Sequence, residues 1–275
     1  VIAWDDAPPP AKLKVGPLRA IAAIIRGVLV LFWTVLTVAI YLILKLVEPA
    51  LGGAKPRYAA LRLWSRIMLR LIGLRRIVHG ELPPDGTALV ANHSTWADII
   101  VFSSIGQVAF VAKSEVAKWP LIGWGAQMMD TMFVERRSSA AERQRIEMVE
   151  RLERGQQLLF FPEGTSTDGM RVLPFKSALF SAFTNMPDTL IQPVAATYVP
   201  APHLPRAFYG WWGDMSLGEN IWALLTHSYG GAVHISFAPP VRAQDFAGRK
   251  ALALHCGEQV RADWARHSTD SNAAD

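Results

Sequence analysis

A single cysteine, Cys256, rules out an intrachain disulfide and a thiolate zinc site in this 275-residue chain. It also fits a reducing compartment. Charge is scarce as well: 19% of the residues are Asp, Glu, Lys or Arg against 51% hydrophobic, and mean hydropathy is +0.20. Acids are rarest at the start. Residues 1–80 hold twelve Lys/Arg and three Asp/Glu, whereas the rest hold sixteen and twenty. Such a basic segment suits nucleic acid or anionic lipid. Its arginines are interleaved with leucines and aromatic stacking motifs are missing, so lipid is the expected partner and nucleic acid is not. His79, His203, His227 and His234 form no H-E-x-x-H or similar cluster, so no metal is expected, and nothing calls for a redox cofactor. A serine nucleophile elbow fails by one position: Ser166 follows Gly164, but Asp168 stands where the elbow needs glycine.

What is present begins with GVLVLFWTVLTVAIYLIL, residues 27–44, a charge-free run bracketed by Arg26 and Lys45. Eighteen residues lie at the low edge of a bilayer-spanning helix. No small-residue cleavage box follows, so the run reads as a retained anchor rather than a signal peptide. In RYAALRLWSRIMLRLIGLRR (57–76), Arg62, Arg66 and Arg70 recur every fourth residue and share a helical face. This amphipathic helix suits the membrane interface, with arginines at phosphate depth. The two segments together predict a helical hairpin ending near Gly73. The expected organisation is a tail and membrane-anchoring helices over 1–76, a catalytic domain over 77–266 and a flexible tail over 267–275.

From residue 77 the texture is α/β. Short apolar runs at 87–91, 108–112, 131–134, 157–161, 190–199 and 232–238 have the length of buried strands. A helix is predicted from Ser139, with Glu142 completing a capping box, to about Arg154, where Gly155 stops it. Helix followed by strand predicts a mixed, partly parallel sheet flanked by helices. A last helix is expected over roughly 244–266.

Two polar clusters follow predicted strands. NHSTWAD (92–98) leaves TALVA, and Asn92 and Ser94 are plausible helix caps. His93 and Asp98 would face apart on one regular helix, and they meet only if His93 precedes a helix that Asp98 opens. The pair then reads as a base with an orienting carboxylate; a metal pair and a plain polar loop are the alternatives. The second cluster, FFPEGTSTDG (160–169), leaves QLLFF and turns sharply at Pro162 and Gly164, with Glu163 exposed between them.

NHSTWAD, DTMFVERR (130–137), FPEGTSTDGMRVLPFK (161–176) and LIQPVAATY (190–198), in that order, closely resemble the motif blocks of the glycerolipid acyltransferase family. KSEVAKWPLIG (113–123) resembles its linker between the first two blocks. The resemblance implies His93 as general base and Asp98 as its orienter. Arg136 would hold the acceptor's phosphate, with Glu163, Gly164 and Thr165 shaping that pocket and Ile191, Gln192 and Pro193 beneath the reacting groups. Oxyanion donors are expected among the amides of 162–165 or 93–95.

Two departures stand out: Asp130 where the family usually has glycine, and Ser166 where it usually has arginine. Lys113, Lys118, Arg171 and Lys176 are the cations at hand to replace that arginine. The expected reaction moves a fatty acyl group from acyl-carrier protein or acyl-CoA to lysophosphatidic acid. The alternative acceptor is lyso-ornithine lipid, since the FPEGTS variant with PFKSALF and YGWWGDM (209–215) resembles that subgroup. Its amino-acid head group explains the loss of a bidentate phosphate holder. A monotopic or single-pass enzyme on the cytoplasmic face of the inner membrane is expected.

Overall fold

The computed structural model describes residues 4–119, 122–135, 138–186 and 188–268. Helix α1 (Pro17–Val47) and helix α2 (Lys55–Leu71) form the expected hairpin. α1 is longer than its charge-free run because Pro17 starts it in the first turn, where a missing N–H costs nothing. It is long and apolar enough to cross a membrane: its most apolar 18 residues have mean hydropathy 2.5 and are only 11% buried. α2 stops at Gly73, whose φ of +73° no bulky residue adopts easily, and a Cβ there would strike the Ser228 carbonyl.

The body is an eight-stranded sheet in the order β1-β7-β6-β2-β5-β3-β4, with β8 paired to β6. The strands are β1 (Leu74–His79), β2 (Ala88–Ala91), β3 (Val108–Lys113), β4 (Met132–Val134), β5 (Gln157–Phe160), β6 (Leu190–Val199), β7 (Gly231–Phe237) and β8 (Val241–Arg242). β2, β5, β6, β3 and β4 run parallel, and β7 is antiparallel to β6, so the mixed, partly parallel sheet expected from the sequence is what forms. The remaining helices are α3 (Asp98–Ser103), α4 (Ile122–Met128), α5 (Ser138–Glu153), α6 (Leu217–His227) and α7 (Arg249–Ser268).

Strand alternation divides the core into two layers. Leu89 and Ala91 of β2 face Met68 and Leu69 of α2, Val101 and Phe102 of α3 and Leu224 of α6. Ala88 and Val90 face the other way, toward Met148 and Leu152 of α5, Phe180 and Phe183 of a 3-10 segment (Ser177–Asn185), and Leu252 and Cys256 of α7. β2 is buried on both faces, as a parallel strand under two helical layers must be. Six of the eight strands match the apolar runs within a residue or two. β1 was not anticipated: Arg75 and Arg76 break LRRIVH, so it forms no apolar run of strand length. The two-residue β8 is too short to leave a pattern.

Candidate active site

β2 and β5 are parallel neighbours with Val90 opposite Phe160, so the clusters that follow them emerge side by side. Asn92 extends the β2–β6 ladder with its side chain. Its amide donates to the Ala196 carbonyl (2.9 Å) and accepts from the Ala196 N–H (2.8 Å). That leaves Asn92 a strand clamp rather than a helix cap, and the chain turns immediately after it.

His93 is held on every side. Its N–H donates to Glu163 Oε1 at 2.7 Å, its carbonyl accepts from the Thr167 N–H at 3.1 Å, and its ring stacks on Phe161 at 4.2 Å. Nδ1 lies 2.7 Å from Asp98 Oδ2. The carboxylate also accepts from the Ser94 N–H (2.8 Å), the Thr95 N–H (3.1 Å) and, at Oδ1, the Tyr198 hydroxyl (2.6 Å). Asp98 is wholly buried whereas the His93 side chain is 22% exposed. An acceptor at Nδ1 assigns the proton to that nitrogen and leaves Nε2 as the acceptor toward solvent. The five-residue spacing works as read from the sequence, because Asp98 opens α3 and His93 precedes it.

Tyr198 was not singled out. Its signal was available: a tyrosine inside a ten-residue buried strand needs a partner for its hydroxyl. Burial and the Asp98 charge push its pKa well above the ordinary value, which keeps it a donor.

Glu163 departs from expectation. It is 1% exposed, not an exposed turn residue, and its second oxygen accepts from the Leu173 N–H at 2.9 Å. Burial pushes its pKa up to about 8, against the two backbone amides that favour the charged form. It braces the His93 loop against the segment after the turn. Gly164 has φ +71°, and a Cβ there would lie 2.9 Å from Lys176 Nζ, so glycine lets that ammonium reach the turn. The Lys176 N–H donates to the Pro162 carbonyl at 2.9 Å. Thr165 Oγ1 accepts from the Trp4 N–H at 3.3 Å. Trp4, Asp5, Asp6, Thr165 and Lys176 thus line a cleft of about 500 Å³ beside Glu163.

The remaining expected residues are dispersed. Lys113 ends β3 at the same carboxyl edge of the sheet as His93. Arg136 lies outside the described residues, as does the tail beyond Ser268. Arg171 is engaged by Asp168 (2.9 Å) and the Trp4 ring. Gln192 turns to the carbonyls of Ala238 and Glu81 rather than toward His93. The amides of 93–95 are all committed to Glu163 or Asp98, Pro162 has no N–H and the Gly164 N–H donates to the Phe161 carbonyl, so of the amides expected as oxyanion donors those of Glu163 and Thr165 are left. Asp130 has φ +52°, which explains why glycine suits that position.

His79, His234 and His267 come together elsewhere, which the sequence did not suggest. Their rings stack at centroid distances of 4.3–5.1 Å, and two of the three pairs are within 17° of parallel. Imidazole lone pairs lie in the ring plane, so stacked rings do not aim them at one ion. Cys256 is buried and its thiol is pushed up to about 12, which removes it from chemistry.

A buried carboxylate, a fixed imidazole and a polar cleft can deprotonate a hydroxyl placed at Nε2. Known proteins similar to this chain are acyltransferases by name. A family model described as "Acyltransferase" matches residues 75–197. A lyso-ornithine lipid O-acyltransferase of Rhodobacter capsulatus is 39% identical over 269 residues, 96% of this chain and 97% of that one. A 1-acyl-sn-glycerol-3-phosphate acyltransferase of Neisseria meningitidis is 39% identical over 186 residues, 65% and 69% of the two chains. The fold matches the crystal structure of the 1-acyl-sn-glycerophosphate acyltransferase PlsC of Thermotoga maritima at a TM-score of 0.66 and 20% identity, over 90% of this chain and 94% of that one. With likeness of this order along almost its entire length, the chain belongs to the glycerolipid acyltransferase family and is an acyltransferase.

Proposed function

We propose that this enzyme acylates the free hydroxyl of a lyso-ornithine lipid, taking the acyl group from the thioester of acyl-carrier protein or acyl-CoA. The observation that carries the acceptor is the mixed charge of the cleft beside Glu163, whose lining holds Lys176 together with Asp5 and Asp6. An ornithine head group has a carboxylate and an ammonium, which this arrangement complements. A phosphate monoester is better served by a guanidinium fork, and Ser166 stands where the family usually has one.

In this reading His93 Nε2 takes the hydroxyl proton as the acceptor oxygen attacks the thioester carbonyl. Asp98 holds the Nδ1 proton and stabilises the imidazolium that forms. The tetrahedral oxyanion is stabilised by the amides of Glu163 and Thr165 in the turn after β5. It collapses with loss of the thiolate, which recovers the proton from Nε2. Glu163, Gly164, Thr165 and Lys176 shape the acceptor side, and Lys113 and Arg136 are further cations for it. Lysophosphatidic acid is the second reading, supported by the Neisseria relative and by Arg136 in DTMFVERR.

The setting we infer is the cytoplasmic face of the inner membrane, with a monotopic anchor. Arg26 donates to the carbonyls of Leu71, Leu225 and Ser228, and Trp64 Nε1 reaches Thr34 Oγ1 at 3.1 Å. Arg57 joins Glu48 and Tyr41 to Asp130 of the body. α1 is therefore fastened along much of its length, which favours lying in the surface over crossing.

The test is acyl transfer to both lysolipids in parallel, with each donor, beside His93→Ala. Loss of the base should lower kcat by about 10²–10⁴-fold. Product on lyso-ornithine lipid that vanishes in the variant supports the proposal. Product on lysophosphatidic acid alone moves the acceptor to the second reading, and unchanged turnover in the variant removes His93 from the chemistry.

A further inference from the structure

Four arginines converge away from the acceptor cleft. Arg66 and Arg70 from α2 and Arg75 and Arg76 from β1 line a cleft of about 800 Å³ whose floor includes Gly73 and Gly230. No carboxylate pairs with any of the four among the described residues. The Arg76 guanidinium is held below its ordinary value by burial and by the charges of Arg66 and Arg70. Unrelieved repulsion of this kind is what a bound anion removes.

Structural duty accounts for two of the four. Arg66 and Arg76 both donate to the Ser104 carbonyl at the C-terminal end of α3, where cations offset the helix dipole. Arg70 and Arg75 are exposed and have no such duty. α3 opens at Asp98, so the carbonyl that Arg66 and Arg76 share lies six residues, about 9 Å of helix rise, from the residue that holds His93. The sheet gives a second measure. Arg76 is opposite Val233, and Val233 is opposite Tyr198, the residue bonded to Asp98. Two strand spacings make about 10 Å.

We propose that this arginine cleft binds phosphate groups of the acyl donor, the part that CoA and the carrier protein's phosphopantetheine arm have in common. The inference rests on the thioester-donor reading above. The acceptor cleft lies at the 162–176 turn, so a donor held at α2 and β1 approaches the dyad from a separate direction. Arg66 and Arg76, pinned by one carbonyl, give the site a preorganised base, unlike arginines that reach freely toward a lipid surface.

The test is the double variant Arg70→Ala/Arg75→Ala, which leaves the α3 cap intact. Donor KM should rise about ten-fold or more, as the loss of charge-assisted contacts predicts, while kcat and acceptor KM change little. Calorimetry with 4′-phosphopantetheine should show binding to the wild type that the variant loses. An unchanged donor KM with weaker binding to phosphatidylglycerol vesicles would overturn the proposal and make the cleft a lipid head-group site. An unchanged donor KM with unchanged vesicle binding would overturn it too, leaving the arginines to cap α3. If the wild type acylates neither lysolipid, the proposed function falls, yet 4′-phosphopantetheine binding still decides the cleft: its presence supports the anion site and its absence ends it.

Discussion

Glu163 gives two backbone amides their acceptors, His93 N–H on one oxygen and Leu173 N–H on the other, from a wholly buried position. Glutamine has the same shape but only one accepting oxygen, so Glu163→Gln sets an NH₂ against one of those amides. The expected cost is about 1–3 kcal/mol of stability, with a fall in kcat because the His93 main chain shifts. Denaturant midpoints and kinetics on the same samples check it. The pH dependence has a definite sign. A folded pKa of about 8 exceeds the unfolded carboxylate value, so the native state retains a proton that the unfolded chain releases. This contribution is fully present below about pH 4.5, the unfolded value, and declines until pH 8 is passed. The decline should be absent from Glu163→Gln, and a slope equal to that of the wild type would assign it to another group.

At the scale of elements, what could be read in advance was whatever repeats or stands alone. Buried strands announce themselves as short apolar runs, and the His93–Asp98 spacing permitted only the loop-then-helix placement that α3 adopts. β1 escaped because Arg75 and Arg76 continue the texture of α2, and only the left-handed Gly73 separates helix from strand. Glu163 escaped because a turn carboxylate is normally solvated, and its burial depends on the Leu173 segment folding back over it. Asn92 and Tyr198 act across 104 and 100 residues of sequence, distances at which no local pattern speaks. Asp130 shows how an element tolerates an unusual residue. It keeps a left-handed turn while offering its carboxylate to Arg57 at 3.3 Å and its carbonyl to Arg151 at 2.7 Å. Asp130→Gly relieves the backbone and loses a partly exposed pair, so stability should stay within about 1 kcal/mol of the wild type. Asp130→Val forfeits the pair and adds β-branched strain, and should cost about 2 kcal/mol or more by chemical denaturation. Equal midpoints for the two variants would show that backbone strain does not govern this turn.

For the whole molecule, the central matter is how a 31-residue apolar helix relates to the body beneath it. A straight helix of that length extends about 46 Å, more than a bilayer core requires. The proposed monotopic placement keeps it against the body, through the contacts at Arg26, Thr34, Tyr41 and Glu48. Its partner α2 carries Arg57, Arg62, Arg66 and Arg70, which hydrocarbon does not accept cheaply. In the monotopic setting proposed above, the hairpin lies flat and the exposed stripe that includes Leu31, Phe32, Val35 and Ile43 is the surface that meets lipid. Cysteine chemistry tests this cleanly, because the native Cys256 is buried with its thiol pushed up to about 12 and should resist maleimide in the folded protein. Leu18→Cys and Leu46→Cys place exposed thiols at the two ends of α1. In sealed inside-out membrane vesicles, an impermeant maleimide should label both positions from the same side. Labelling of one end only, with the other reached after the vesicles are opened, would mean that α1 crosses the bilayer and that its ties to α2 and the body are broken in the membrane.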